Sequence, residues 1–435
     1  MMANDDTLPK LLVSNFKRYG KNRIAMRFKD FGIWNEISWH DYYQNVKHIS
    51  LGLVSLGLRR GDKVSIIGDN NPEWYWAEIA TQAAGGISVG IFVDSLPHEL
   101  KYIAGHSDSR FLFAKDQEQI DKFLQIKNEL PEMIKAIYWD EKGLRNYQDP
   151  SFMSLQELMK GGEKYEKENP DHFEKSIEKG SSDDVAIISY TSGTTGLAKG
   201  AQMTFRGLFE STSNWLKVDP WPEDDDYLSY IPPSWITEQF LGITGGLLSG
   251  LYVNFPEEAE TVHNDIREIS PVVLMFGGKL WESIVSSVEA KIMDSSAFNR
   301  FFYRLGFKIG NEVMTMKKTG RKVNPLWNFL YFLANISIYR PLKDKFGLKK
   351  IKYAYTAGAA VSPDVLKFFH TIGVNLKQLY GLTETGINTC HRDGDVNFGT
   401  VGPTLPGSEI KITPDGEIAI RSTALFIGYY KDQEA

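Results

Sequence analysis

Tyr190-Thr191-Ser192-Gly193-Thr194-Thr195-Gly196-Leu197-Ala198-Lys199-Gly200 is the stretch on which the reading of this chain turns. It follows the apolar run Val185-Ala186-Ile187-Ile188, which reads as a buried strand. Every residue from Thr191 to Gly196 is glycine or carries a hydroxyl. Glycine turns backbone N–H groups toward a ligand at little conformational cost. Ser and Thr add hydroxyl donors, and Lys199 adds a point charge. The combination predicts a cradle for a polyphosphate. It is not a Walker loop, because Gly200 follows Lys199 where Ser or Thr is required. The plain alternative is a surface loop rich in Gly, Ser and Thr.

The surrounding pattern is of strands alternating with helices. Thr7 to Tyr19 predicts an amphipathic helix with Leu11, Leu12 and Phe16 on one face. Arg23 to Ile37 predicts a hairpin around Asp30-Phe31-Gly32, and Ser38 with Asp41 predicts a capped helix to about Leu58. Val64–Ile67, Ile87–Phe92, Phe111–Phe113 and Ile134–Trp139 predict strands separated by helices, hence a doubly wound parallel lobe over 1–180. Residues 141–181 are charged and read as a connection with one short helix near Ser154 to Met159. A second α/β lobe is expected over 181–375, carrying the phosphate loop, a helix after about Phe205 and a strand at Tyr227–Ile231. From Leu376 to Ala435, turns at Asp393-Gly394, Leu405-Pro406-Gly407 and Pro414-Asp415-Gly416 predict a small antiparallel or β-barrel-like section.

Composition bounds the function. The 435 residues exceed what one simple core holds, and 42% hydrophobic with 24% charged residues is a globular balance. A net charge of −6 argues against a general nucleic-acid binder. The single cysteine, Cys390, excludes an internal disulfide framework and predicts a small packed residue in a reducing, cytoplasmic setting. The acidic, polar start predicts no secretory leader, and no uncharged apolar run is long enough to predict a spanning helix.

Five further stretches bear on chemistry. Tyr380-Gly381-Leu382-Thr383-Glu384-Thr385 offers a flat aromatic face, a hydroxyl and a hard carboxylate of the kind Mg²⁺ takes together with phosphate oxygens. Thr356-Ala357-Gly358-Ala359-Ala360 offers small side chains that admit a ligand close to the backbone, or tight strand–helix packing. Ile231-Pro232-Pro233-Ser234-Trp235-Ile236-Thr237-Glu238-Gln239 offers an aromatic and a carboxylate. Gly416-Glu417-Ile418-Ala419-Ile420-Arg421 and Gly428-Tyr429-Tyr430 close the series.

Together these stretches resemble the signature of the adenylate-forming (AMP-binding) enzymes: acyl-CoA synthetases, luciferases and peptide-synthetase adenylation domains. The chain departs from the pattern at Ala198, where proline is usual, at Phe205, where histidine is common, and at Trp235, which replaces a histidine. The resemblance implies the acyl-CoA synthetase large-domain fold, two α/β lobes with a small β section. It implies ATP, Mg²⁺ and coenzyme A as cofactors and co-substrates. Thr191, Ser192, Gly193, Thr194, Thr195, Gly196 and Lys199 would hold the phosphates. Tyr380 would stack on adenine beside Gly358, Ala359 and Gly381, and Thr383 would bind the α-phosphate. Glu384, with Thr191, would hold Mg²⁺. Trp235 and Gly358 would face the acyl substrate, and Glu238 would assist Mg²⁺ or orient the loop. The family also carries a ribose-binding aspartate, a hinge and a C-terminal cap with a catalytic lysine beyond the region these 435 residues match. Weak turnover by this chain alone, and a mobile Thr191–Lys199 loop, are the corresponding expectations.

Residues 297–352 hold thirteen Lys/Arg and two acids, Glu312 and Asp344, interleaved with aromatics such as Phe301, Phe302 and Trp327. The pattern predicts helices with apolar and cationic faces, suited to peripheral contact with an anionic membrane or to a solvated basic face. Its place after Gly277-Gly278-Lys279-Leu280-Trp281-Glu282 resembles the long-chain and bubblegum-type fatty acyl-CoA synthetases. The expected reaction is activation of a long-chain fatty acid to acyl-adenylate and then acyl-CoA, with a homodimer as a candidate assembly. The alternatives are adenylation of an aryl or amino acid, and a non-catalytic nucleotide- or lipid-binding relative. No general base is required, since a carboxylate substrate is already ionised at neutral pH.

Overall fold

Apolar β-branched runs and capped helices alternate along the first third of the chain, and the computed structural model, which describes residues 5–191 and 196–432, shows how they assemble. Thr7 caps the first helix, Leu8–Tyr19, and Ser38 with Asp41 forms the capping box of Trp39–Ser55. The seven-stranded sheet runs in the order Phe152–Ser154, Lys135–Tyr138, Ser109–Ala114, Lys63–Ile67, Ile87–Ile91, Val185–Thr191, Lys199–Thr204. All neighbours are parallel except the last pair. Its central strands are buried on both faces, which explains their unbroken Val/Ile/Phe character.

The second sheet has eight strands. Its order is Gly386–Cys390, Leu376–Leu382, Tyr353–Ala357, Val273–Gly277, Asp226–Leu228, Tyr252–Phe255, Ile24–Asp30, Ile33–Ser38. The strands are parallel apart from the antiparallel pair at each edge. One apolar cluster, with Trp39, Tyr75, Trp215 and Tyr355 among its largest members, packs against elements of both sheets.

The chain crosses between the sheets twice, and this corrects the expected boundaries at 180/181 and 375/376. The hairpin Ile24–Ser38 leaves the first sheet and pairs in parallel with Tyr252–Phe255. Val185–Thr191, expected to open the second lobe, instead sits beside Ile87–Ile91 and closes the first. Hydrophobic pattern identifies a buried strand but not the sheet that buries it. Similarly, Leu376–Leu382 and Gly386–Cys390 extend the second sheet. Only Ser408–Ile412 and Ile418–Ser422 form a separate antiparallel ribbon among the described residues, which is narrower than a barrel.

Residues 141–181 are also more ordered than the charge pattern predicts. They contain helices Leu155–Glu168 and His172–Glu178. Ser154 and Glu157 make a second capping box. Gly162 lies so close to the Trp39–Ser55 helix that an added Cβ would stand 1.9 Å from the His48 carbonyl oxygen. Glycine at this crossing lets the backbones approach, while the charged side chains stay on the solvent side. One of them, Glu166, reaches back to Lys47 at 2.7 Å.

Candidate active site

The quoted loop springs from the carboxyl end of a parallel strand, where open α/β sheets bind ligands. Thr191 is the last residue of its strand and is paired across an antiparallel hairpin with Lys199. Ser192, Gly193, Thr194 and Thr195 lie outside the described residues, and so does the core of the loop whose mobility the sequence predicts. Gly196 and Leu197 are exposed. The base of the hairpin is held from the side by helix Pro97–His106. The Tyr102 hydroxyl donates to the Ala198 carbonyl at 2.9 Å, and His106 Nδ1 lies 2.7 Å from the Tyr190 hydroxyl. Neither supporting residue was legible in the sequence, because both come from a distant helix with no motif of its own.

The second motif forms a tight turn. Thr383, Glu384 and Thr385 connect the antiparallel strands Leu376–Leu382 and Gly386–Cys390. Gly386 has φ +72°, and a Cβ on Gly381 would stand 2.4 Å from the Gly386 carbonyl oxygen. Backbone proximity therefore accounts for Gly381 by itself. Tyr380 is half-buried just before the turn. Beneath the strand lies a buried ion pair, Lys377 Nζ to Asp219 Oδ1 at 2.6 Å, and Tyr355 donates to the other Asp219 oxygen at 2.8 Å. Burial opposes the Lys377 charge, but Asp219 and Asp393 outweigh it and hold the ammonium above its ordinary value. Burial pushes the neighbouring Cys390 thiol up to about 12, so this residue is packed and unreactive.

Segment 426–432 brings the two motifs together. The Tyr429 hydroxyl donates to Glu384 Oε1 at 2.7 Å. Lys199 Nζ sits 5.3 Å from the centre of the Tyr429 ring and 3.0 Å from Asp432 Oδ2. The same segment hydrogen-bonds backbone to backbone with Gln202, Gly200 and the Glu384 carbonyl. One aromatic ring thus joins the lysine of the first motif to the carboxylate of the second. Burial, together with Glu384, pushes the Tyr429 hydroxyl up to about 12, so it stays a donor at neutral pH. The Gly-Tyr pair was visible in the sequence; its position between Lys199 and Glu384 was not.

Two expected ligand neighbours end other strands. Gly358 follows Tyr353–Ala357 with φ +83° and open space where a Cβ would point. Ala359 beside it is exposed. The Thr356 hydroxyl is buried without a partner among the described residues. Trp235 is 53% exposed and leans on Phe92, ring centres 6.4 Å apart, over the end of Ile87–Ile91. Glu238 does not share this openness. It is fully buried and accepts from Tyr75 at 2.7 Å, Ser229 at 2.6 Å and Tyr227 at 2.5 Å. Burial raises its carboxyl to about 7, against the pull of those hydroxyls. This corrects the expectation that Glu238 assists Mg²⁺: its lone pairs are spent on the scaffold. Glu384, half-buried and bound to one hydroxyl, keeps acceptor capacity for a cation that brings its own phosphate and water ligands.

Two open, mostly parallel sheets, with the base of a hydroxyl-rich loop and a Thr-Glu turn at strand ends, form the arrangement in which α/β folds bind ligands. The family model described as AMP-binding enzyme matches residues 13–430, and the chain belongs to that family. Among curated proteins it is 26% identical to the Xenopus laevis long-chain-fatty-acid–CoA ligase ACSBG2 over 97% of its own length and 58% of that protein. It is 26% identical to the Rattus norvegicus long-chain-fatty-acid–CoA ligase ACSBG1, again over 97% of this chain and 59% of that one. The chain therefore spans less than two thirds of these relatives. Among solved structures, VinN superposes with TM-score 0.69 at 15% identity, covering 98% of this chain and 91% of VinN. ATP-bound MatB from Rhodopseudomonas palustris superposes with TM-score 0.67 at 18% identity, covering 98% and 73%. These likenesses establish the fold.

Proposed function

We propose that the chain binds ATP and activates a long-chain fatty acid as acyl-adenylate, the first half of a fatty acid–CoA ligase reaction. The observation that carries this reading is the Lys199–Tyr429–Glu384 link, which joins a phosphate-type loop to a metal-type carboxylate. In this reading Thr191, Ser192, Gly193, Thr194, Thr195, Gly196 and Lys199 hold the polyphosphate, and Thr383 takes the α-phosphate. Tyr380 stacks on adenine, with Gly358, Ala359 and Gly381 as its neighbours. Glu384, with Thr191, holds Mg²⁺. That ion would neutralise charge between the phosphates, while the chain's own groups position the acyl carboxylate for attack on phosphorus. Trp235 and Gly358 border the acyl group, and coenzyme A takes the acyl group in the second half-reaction. The substrate assignment is supported by the printed names of the curated relatives and by the helical insert.

The test is Mg²⁺-dependent ATP–pyrophosphate exchange against a panel of fatty acids, benzoate and amino acids, with thioester formation measured separately. Exchange should respond to long acyl chains and vanish in Glu384→Gln. A response to benzoate or amino acids alone would move the substrate to the aryl or amino-acid class. Exchange that survives Glu384→Gln unchanged would remove Glu384 from the site.

A further inference from the structure

The insert has one face docked on the protein and another that no described residue covers. Its two longest helices are Ala297–Lys318 and Pro325–Ala334. On the inner side, Gly306 admits Ile338 and Gly310 admits Thr371, while the Phe307 ring lies 5.1 Å from that of Phe368. The Tyr339 hydroxyl donates to the Gly306 carbonyl at 2.6 Å. The Gly310–Thr371 and Phe307–Phe368 contacts fix the insert to helix Pro363–Thr371, and the other two hold its own segments together.

On the outer side the apolar residues keep helical spacing but stay in solvent. Phe298, Phe301, Phe302 and Leu305 follow one another at three, one and three residues, a single helical stripe, with Phe298 69% and Phe301 63% exposed. Leu326, Phe329 and Leu333 form a second stripe on Pro325–Ala334, at intervals of three and four residues, and Ile336 continues it into the π-helical turn Asn335–Tyr339, with Leu326 63% and Phe329 57% exposed. Clustered exposed aromatic and aliphatic side chains of this kind mark a contact site.

Charge identifies what the contact is with. Residues 297–352 carry +11 in a chain of −6, which leaves −17 on the rest. Of the thirteen cations, only Lys349 and Lys352 lie within 4.0 Å of a carboxylate among the described residues. Lys345 faces Lys291, which lowers its affinity for a proton. A second copy meeting this face through a two-fold axis would set a cationic surface against its own like charge. No helix among the described residues is long and apolar enough to cross a membrane. An apolar stripe on a segment whose cations mostly lack a carboxylate partner among the described residues instead suits the interfacial plane of an anionic bilayer.

We propose that the outer face of Ala297–Lys318 and Pro325–Ala334 docks on an anionic lipid surface, with the phenylalanines in the acyl boundary and the lysines and arginines at the headgroups. The proposal is independent of the ligase reading: Glu384→Gln should bind lipid as the unchanged chain does.

The experiment is co-sedimentation with phosphatidylcholine vesicles, with and without about one third phosphatidylserine. Binding should require phosphatidylserine and fall as salt rises. The variant Phe298→Ser/Phe301→Ser/Phe329→Ser should lose about tenfold or more in vesicle affinity while melting like the parent, because all three side chains lie in solvent. The charge reversal Arg304→Glu/Lys308→Glu should lose a similar amount without touching the aromatics. If the serine variant fails to fold, the charge reversal and the salt dependence of the parent chain decide. Absence of binding to anionic vesicles, or undiminished binding by both variants, overturns the proposal. So does a lipid-free dimer that the serine variant dissociates, which would give the face to a second copy. Tighter binding to duplex RNA than to anionic vesicles would also overturn it.

Discussion

Glu238→Gln should abolish part of the pH dependence of folding. In the native chain the Glu238 carboxyl is raised by burial from an ordinary 4.5 to about 7. The native state therefore keeps this proton when the unfolded chain has lost it. Glu238 favours folding fully below about 4.5, loses that contribution as pH rises toward 7, and is flat above it. The displacement is worth about 3 kcal/mol across the window. Glutamine matches the protonated acid in shape. Its carbonyl can accept from Tyr75 and Ser229, and its NH₂ can donate to the Tyr227 oxygen, so at pH 5 the variant should lie within about 1 kcal/mol of the parent. At pH 8 the parent bears the cost of a buried carboxylate and the variant does not. The difference between the two chains should therefore shift in the variant's favour by about 3 kcal/mol between pH 5 and pH 8. Glu73 and Glu78, also raised to about 7 by burial, titrate in both chains and cancel. Urea unfolding of both proteins at the two pH values measures the shift. A variant-to-parent difference that stays constant with pH would refute the reasoning, and would mean that the three hydroxyl donors already hold Glu238 ionised at pH 5.

Gly162→Ala should destabilise the fold by about 3 kcal/mol, because its Cβ would collide with a backbone carbonyl, whereas Gly161→Ala should be neutral or slightly stabilising. A Cβ at Gly161 meets nothing closer than the Ser55 hydroxyl at 3.7 Å, so thermal melting of this adjacent pair separates crowding from helix propensity. Lys377→Met should cost about 3–5 kcal/mol in urea unfolding by stranding the buried Asp219 carboxylate. Adding Asp219→Asn should recover much of that loss, and a double variant as unstable as the single one would show that packing dominates. Cys390 should resist a thiol reagent at pH 8 in the folded chain and react promptly in urea, since burial pushes its thiol up to about 12. Rapid native labelling would contradict that burial.

Local chemistry made some features legible and left others hidden. The capping residues Thr7 and Ser38, the turn glycines and the alternating strands are near-neighbour signals, and they located their elements closely. The crossing of strands between the sheets was not legible, since Ile24–Asp30 and Val185–Thr191 carry the same apolar pattern as strands that stay at home. The Leu155–Glu168 helix was underestimated because its charge dominates its composition, although the Ser154–Glu157 box was present in the sequence. At the site, the loop and the Thr-Glu turn were visible as strings, but their joining through Tyr429 depends on tertiary pairing. Glu238 shows the converse: motif position suggested a ligand-facing acid, and burial made it a keystone of three hydroxyls.

The pairing of segment 426–432 with Lys199–Thr204 has a consequence for solubility. Lys199–Thr204 is the terminal strand of the seven-stranded sheet, and its outer backbone groups would form a template for adding a foreign strand. The bridge Ala201–Tyr429 and the bonds of Gly428 and Ile427 with Gln202 cover that rim with the chain's own backbone. The segment that links the two motifs is thus also a guard against edge-to-edge aggregation. Any change that lifts it from Glu384 uncovers a sticky margin at the same moment as it opens the site.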